Sequence, residues 1–380
     1  MRKIRAKVLA GERITLEEGI ALYKEADLLE LGQLANILRY RHNPRPEVTF
    51  VIDTNPNYTN VCDTDCLFCA FYRKPGAPDA YTYSVEEMME RIGQAVAQGA
   101  TTVLLQGGHN PALPFEYYLE LVRETCRRFP HVTPHFFSAS EIQAMHRYFG
   151  LPVREILLRL REAGMYTLPG GGAEILSARV RKRISPKKGG PEEWLEVHRE
   201  AHRLGFRTTA TMMYGHVEQP EDILEHLEHL RRLQDETGGF TAFIPWSFKP
   251  ANTRLQKWVP TGAGPNEYLR IIALSRVYLD NFPHIQASWF SEGKRAGQVA
   301  LHFGADDFGG TLIEENVHRA ADFVNTTTLE DVVTMIREAG FIPVQRTTLY
   351  ERIRVFAEGV PQSPSPVEGV HESVAHRPQS

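Results

Sequence analysis

Apolar residues along the chain fall into two alternating rhythms. Short runs such as VTFVIDTN (48–55), TTVLLQGG (101–108) and VTPHFFSAS (132–140) are rich in β-formers and end in Gly, Ser or Asn, as buried strands do. Between them, apolar positions three and four apart predict amphipathic helices over 84–98, 114–129 and 153–164. The first opens with a capping-box pattern, Ser84 and Glu87, and the third ends at Gly164. The alternation continues through MYTLPGGGAEI (165–175), a helix over 194–205, FRTTATMMYGHVE (206–218), a helix over 221–238 and FTAFIPWSF (240–248). A helix over 268–282, HIQASWF (284–290) and QVALHFGADDFGG (298–310) complete the series. Eight candidate strands separated by helices predict a parallel (β/α)8 barrel of the TIM type, an α/β fold. Two amphipathic helices over 13–41 precede it. The reading divides the chain into a helical extension (1–45), the barrel (46–355) and a Pro/Ser-rich tail (356–380) expected to be disordered.

Composition narrows the function. The 380 residues suit one barrel, and 42% hydrophobic with 24% charged residues is ordinary for a globular core. A net charge of −4 gives a nucleic-acid partner no electrostatic support. No apolar run approaches the ~20 residues that cross a membrane, and MRKIRAKVLAGERITLEE lacks a signal-peptide core. Four cysteines make no disulfide framework, so a cytoplasmic location is expected.

In parallel barrels ligands gather at the carboxyl ends of the strands. Cys62, Cys66 and Cys69 follow strand one, Gly107, Gly108 and His109 strand two, and Ser138, Ser140 and Glu141 strand three. Gly170 to Glu174 follow strand four, His216 and Glu218 strand five, and Asp306 and Asp307 are read as the end of strand eight. The thiols are spaced C-x3-C-x2-C, with Cys126 the only other one, inside a predicted helix. Structural zinc takes four ligands, usually as paired knuckles, and no second knuckle is present. Three thiolates on one short loop suit a 4Fe–4S cluster with one iron lacking a protein ligand; zinc or metal-free thiols are the alternatives.

C-x3-C-x2-C with Phe68 before the last cysteine resembles the signature of the radical S-adenosylmethionine (SAM) superfamily. The likeness extends over about residues 10–355 through CAFYR, QGGHNP (106–111), GGGAEIL (170–176), RVRKRISP (179–186), TTATMMYGHVE (208–218), GGFTAFIPWSFKPANT (238–253) and FGADDFGGTLIEENV (303–317). These stretches resemble the cyclic dehypoxanthine futalosine synthase family, which acts on the futalosine route to menaquinone. Aminofutalosine synthase and the deazaflavin-forming enzymes are related to it and are the alternatives in the same barrel. The resemblance implies SAM on the open iron, dehypoxanthine futalosine as substrate, and a one-electron donor such as flavodoxin or ferredoxin.

It also implies roles. The backbone at Gly107 and Gly108 meets the SAM amino group, Glu174 the ribose hydroxyls, and Ser138, Ser140, Glu141 and Arg181 the SAM carboxylate and neighbouring polar groups. Thr209, Met212 and Met213 lie where the nucleoside binds. His109, Asp306 and Asp307 are expected to hold substrate, and His216, Glu218 and Tyr58 to be catalytic, His216 with Glu218 supplying a base and Tyr58 lining the cavity. His226 and His229 are expected to be solvated.

Overall fold

The computed structural model describes residues 1–357. β1 (Glu47–Val51) and β2 (Asp53–Thr54) form the first barrel stave, interrupted only at Ile52. It is followed by β3 (Thr102–Leu105), β4 (Thr133–Phe136), β5 (Thr167–Leu168), β6 (Arg207–Tyr214), β7 (Phe240–Ser247), β8 (His284–Ile285) and β9 (Asp307–Gly310). Neighbours run parallel, with Asp53 opposite Thr102, Leu105 opposite Phe136, Leu168 opposite Thr208, and β6 against β7 along its whole length. β4 and β5 meet through Thr167 Oγ1, which donates to Pro134 O at 3.1 Å. A bridge between Gln286 and Asp307 and the parallel β9–β1 pair close the ring.

The staves hold because their apolar residues are buried: Val48, Phe50, Val103, Leu105, Phe136, Ala210 and Phe243 are fully enclosed. The helices around them begin at predictable caps. Ser84 and Ser138 each form a capping box with Glu87 and Glu141, and Gly238 ends the helix Pro220–Thr237 in the left-handed conformation. At the amino end of the barrel, helix Leu28–His42 carries the enclosed Arg39, whose guanidinium donates to Ala305 O and Glu47 O. An additional helix, Arg2–Leu9, precedes the two that the sequence pattern predicts.

The structure departs from the pattern at the carboxyl-terminal third. The segment read as the start of strand eight is a helix, Lys294–Ala300, and the strand itself is only Asp307–Gly310. Asp306 and Asp307 therefore open the strand, towards the barrel base, and do not sit on the rim. β10 (Ile342–Arg346) and β11 (Arg352–Val355) add a hairpin; β10 runs parallel to β1, with Glu47 opposite Ile342 and Phe50 opposite Gln345. It flanks the lower half of the stave whose upper half pairs with β3. Thr348 Oγ1 lies 2.7 Å from Thr102 Oγ1, and Tyr350 stacks on His284 at 3.7 Å, so this hairpin fills the base. Of the tail read over 356–380, Phe356 donates its N–H to Pro343 O and packs on Phe50; residues 358–380 lie outside the described residues.

Candidate active site

A cavity of about 340 Å³ occupies the barrel interior and its carboxyl-terminal mouth. The side built by the loops after β2, β3, β4 and β5 contains Cys62, Cys66, Cys69, Phe68, Glu174 and Lys188. The side built by β7 and the loops after β8 and β9 contains Trp246, Phe290 and His318, and the floor contains Asp53, His135, Arg346 and Thr348.

The cysteine loop is clamped by its own backbone. Cys62 N–H donates to Arg73 O at 2.9 Å, Asp63 N–H to His109 O at 3.0 Å and Leu67 N–H to Ile184 O at 2.9 Å. A Cβ on Gly108 would lie 2.1 Å from Val61 O, so only glycine lets this loop dock on β3. Thr64, in the spacer between the first two cysteines, hydrogen-bonds His109 Nδ1 at 2.7 Å, and His109 Nε2 reaches Ser140 Oγ at 3.3 Å. Burial drives the His109 pKa well below its ordinary value, so the ring is neutral. It braces the loop and its edge faces the cavity.

No three His, Cys, Asp or Glu among the described residues converge on one point as a single ion demands. The three thiols nonetheless line one cavity and none is in a disulfide. A four-iron cube takes each thiolate on a different iron and asks for no such convergence, so the arrangement fits the cluster better than zinc. Burial pushes up the Cys66 and Cys69 thiols, with Lys188 opposing it, and iron binding replaces those protons. Cys126 lies apart on helix Phe115–Arg128, its Sγ directed to Gly164 O.

Glu174 has the mark of a ligand-holding residue. Its backbone is left-handed (φ 44°), it is buried, and Lys188 Nζ donates to Oε1 at 2.8 Å. Oε2 has no hydrogen-bond partner, with Arg181 Nη1 at 3.7 Å. Burial works against the Lys188 charge, but Glu174 and Cys66 outweigh it and raise the pKa. Gly107 N–H donates to Glu141 and Gly108 N–H to Thr59 O, which leaves these glycines their carbonyls to meet an ammonium. Thr209 also lines the cavity, and its hydroxyl accepts from Gly170 N–H at 3.0 Å.

Several expected site residues are engaged elsewhere. Glu141 lines the cavity but accepts from Tyr58 OH (2.7 Å), Gly107 N–H (3.0 Å) and Ser138 Oγ (2.7 Å), so its carboxylate ties three elements together. Tyr58 is enclosed by Tyr117, Tyr118 and Phe137 behind Gly107 and does not line the cavity. Ser138 and Ser140 touch the cavity, 3.0 Å apart, with Ser138 also capping its helix. Arg181 donates to Gly172 O, Ala173 O, Lys188 O and Gly189 O, and it shapes the glycine loop from behind.

β6 brings another correction: Thr209 and Thr211 point inward, and strand alternation turns Met212 away from the cavity; Met213 shares their parity but is enclosed off the cavity, its N–H donating to Glu174 O at 2.7 Å. His216 Nε2 meets Met213 O at 3.0 Å, Nδ1 accepts from Val217 N–H at 2.8 Å, and Glu218 caps the His216 N–H. Both therefore build their own loop and neither lines the cavity. Asp306 is enclosed between Arg276 and His284, which hold its carboxyl below the usual range against the opposing effect of burial. Asp307 is paired with Arg346, whose Nη2 lies 3.0 Å from Oδ1. His226 is enclosed and accepts from Leu176 N–H at 2.9 Å, whereas His229 is partly exposed.

The sequence reading missed Lys188, Trp246, Phe290, His318, Asp53 and His135, all of which line the cavity. Strand position was the available signal for Asp53, Trp246 and His135. Lys188 was hidden in a basic run and His318 in a loop of no regular pattern.

A closed parallel barrel with three thiols on the loop after its first stave is the architecture of a radical SAM enzyme, and the chain belongs to that superfamily, whose model matches residues 56–230. It binds a 4Fe–4S cluster and SAM. Residues 237–358 match the CofH/MqnC C-terminal region, which sets the branch. Cyclic dehypoxanthine futalosine synthase of Halalkalibacterium halodurans is 42% identical over 93% of this chain and 95% of its own. Aminodeoxyfutalosine synthase of Thermus thermophilus is also 42% identical, over 93% and 96%. The 5-amino-6-(D-ribitylamino)uracil–L-tyrosine 4-hydroxyphenyl transferase of Methanopyrus kandleri reaches 42% over 90% and 94%. Among solved structures, methylornithine synthase shares the fold with a TM-score of 0.70 at 18% identity, covering 90% of this chain and 97% of that one.

Proposed function

We propose that the protein is a cyclic dehypoxanthine futalosine synthase, acting on the futalosine route to menaquinone. The likeness to enzymes of that name in Halalkalibacterium halodurans and Streptomyces coelicolor, at 42% and 41% identity over 93% of the chain, carries the reading. Aminodeoxyfutalosine synthase is the second reading, favoured by equal identity to the Thermus thermophilus enzyme. One cavity with a cysteine side and an aromatic side suits a cyclase, which joins two parts of one molecule.

When bound, the cofactor pair supplies the 5′-deoxyadenosyl radical that takes hydrogen from the substrate's ribose carbon 4′. The carbon radical would add to the benzoate ring; a proton then leaves to a base and one electron passes to an oxidised one-electron carrier, which restores aromaticity and offsets the electron consumed in cleaving SAM. The chain's share is placement. Glu174 would offer its unpartnered Oε2 to the ribose hydroxyls of SAM, the Gly107 and Gly108 carbonyls would meet its ammonium, and Ser138 and Ser140 would add polar contacts beside them. The substrate sits towards β7–β9, where the barrel walls keep water out and hold the reacting carbons close. A flavodoxin or ferredoxin supplies the electron. Anaerobic incubation with SAM, a reductant and dehypoxanthine futalosine is expected to give deoxyadenosine and a product lighter by two hydrogens. Turnover of an aminodeoxyfutalosine synthase substrate in its place would select the second reading.

A further inference from the structure

The loop after β9 contains a histidine for which the fold supplies no partner. His318 is 8% exposed and lines the cavity, yet neither Nδ1 nor Nε2 has a hydrogen-bond partner. The nearest carboxylate, Glu315, is 3.9 Å from Nδ1, and its oxygens accept instead from the N–H groups of Val317 and His318. Aromatic rings surround the imidazole: Phe290 at 5.4 Å, Trp246 at 5.7 Å and Phe323 at 6.2 Å between centroids. Trp246 and Phe290 also face the cavity. A buried polar side chain normally finds a partner, and leaving one without costs about 1–3 kcal/mol. An imidazole with two such atoms, aimed into a cavity, waits for a ligand.

We propose that His318 is a substrate-binding residue that hydrogen-bonds the acidic substituent of an aromatic ring packed against Trp246 and Phe290. The inference rests on the proposed function, in which that ring is the substrate's benzoate. The chemistry of the wall agrees. Burial and the nearby Lys249 charge lower the His318 pKa to about 3, so the ring is neutral and offers one N–H donor and one acceptor. Lys249 stands behind the wall, its ammonium 4.2 Å from the Phe323 ring centre and 4.0 Å from Glu292, which offsets part of its charge. The cationic side chains that line the cavity are already paired, Lys188 with Glu174 and Arg346 with Asp307. A neutral N–H in an apolar wall then joins the Gln286 amide and the Trp246 indole N–H as a donor on the side of the barrel away from the cysteines.

The test uses the anaerobically reconstituted enzyme and two variants. His318→Phe keeps a flat ring in the wall and deletes both nitrogens; His318→Gln keeps a donor and an acceptor. His318→Phe is expected to raise the KM for dehypoxanthine futalosine about ten- to a hundredfold, the loss of one hydrogen bond to a charged group. The KM for SAM should move far less, and product per deoxyadenosine should fall as an ill-held ring misses the radical. His318→Gln should recover most of both. An unchanged substrate KM and product ratio in His318→Phe overturns the proposal, as does an equal rise in the two KM values. If His318→Phe fails to hold its cluster, His318→Gln decides against His318→Leu by the same ratio, and equal behaviour of that pair overturns it. Failure of the functional reading looks different: the unmodified enzyme leaves dehypoxanthine futalosine untouched, and the variants are then compared on the aromatic substrate it does convert.

Discussion

Two rim loops carry the same pair of residue types and use them in opposite ways. After β6, His216 and Glu218 satisfy one another's loop, with both imidazole nitrogens engaged and neither side chain in the cavity. After β9, Glu315 caps a short helix while His318 faces the cavity with both nitrogens unpartnered. Position at the carboxyl end of a strand is common to both and does not separate them. The difference lies in whether the polar atoms have a partner within the fold, because a satisfied group stabilises its loop and an unsatisfied one is left for a ligand.

The same criterion separates the thiols, and breaking it there should have the largest effect. Alanine at Cys62, Cys66 or Cys69 is expected to abolish both the iron–sulfur absorption and SAM cleavage, whereas Cys126→Ala keeps both. Loss of the cluster in Cys126→Ala would mean that cavity lining is not what marks a ligand. Next comes Glu174→Gln, which replaces the carboxylate whose Oε2 is unpartnered. Losing a charge-assisted hydrogen bond of about 1.5–3 kcal/mol should weaken SAM binding by roughly ten- to a hundredfold with iron content intact. Calorimetric titration with SAM reads this directly, and unchanged affinity would make Glu174 a loop builder like Glu218.

Asp53 sharpens the contrast through pH. Burial pushes its pKa up to about 6, and the Leu312 N–H at 2.8 Å only partly offsets this. An acid whose folded pKa is raised binds more protons folded than unfolded, so this carboxyl makes stability fall as pH rises from about 4 to 6. Above that the full cost, on the order of 2–3 kcal/mol, is present. Asp53→Asn should therefore raise the thermal midpoint at pH 7.5 and leave it nearly unchanged at pH 4. A midpoint gain equal at both pH values would deny that the charge is the cause. The smallest effect on turnover belongs to His216→Ala, which loses loop hydrogen bonds worth about 1 kcal/mol each. Its product per deoxyadenosine should match that of the unmodified enzyme; a large fall would return His216 to the chemistry and undo the comparison.

The barrel itself was legible because burial on both faces forces apolar strands between amphipathic helices, a pattern that survives in VTFVIDTN and TTVLLQGG. The three cysteines were legible because their spacing is local. What was hidden depends on three-dimensional parity and pairing. QVALHF reads as a strand by composition, yet its first half ends a helix and its second half is a turn, and that error carried Asp306 and Asp307 from the base to the rim. His216 and His318 look alike in sequence, and only their partners, a few residues away in one case and absent in the other, distinguish them. His226 sits among charged neighbours in sequence but turns inward to cap Leu176. Thr211 was overlooked beside the larger Met212 and Met213, although strand alternation with Thr209 pointed to it.

The hairpin that fills the barrel base has a consequence for how the molecule is made. Val48 lies opposite Pro343 and Thr49 opposite Val344, so the first stave of the ring receives one of its flanking strands from a segment synthesised long after it. Until the ribosome has released that segment, β1 presents a row of unpaired backbone groups over residues 47–50, an invitation to pair with another chain. Closing so long a loop is slow, and it holds the nascent chain in an aggregation-prone state while the cysteine loop is already outside the exit tunnel. Slower translation or lower growth temperature during expression should therefore raise the yield of monodisperse protein more than added iron does, and a chain ending before residue 342 should be recovered mainly as aggregate.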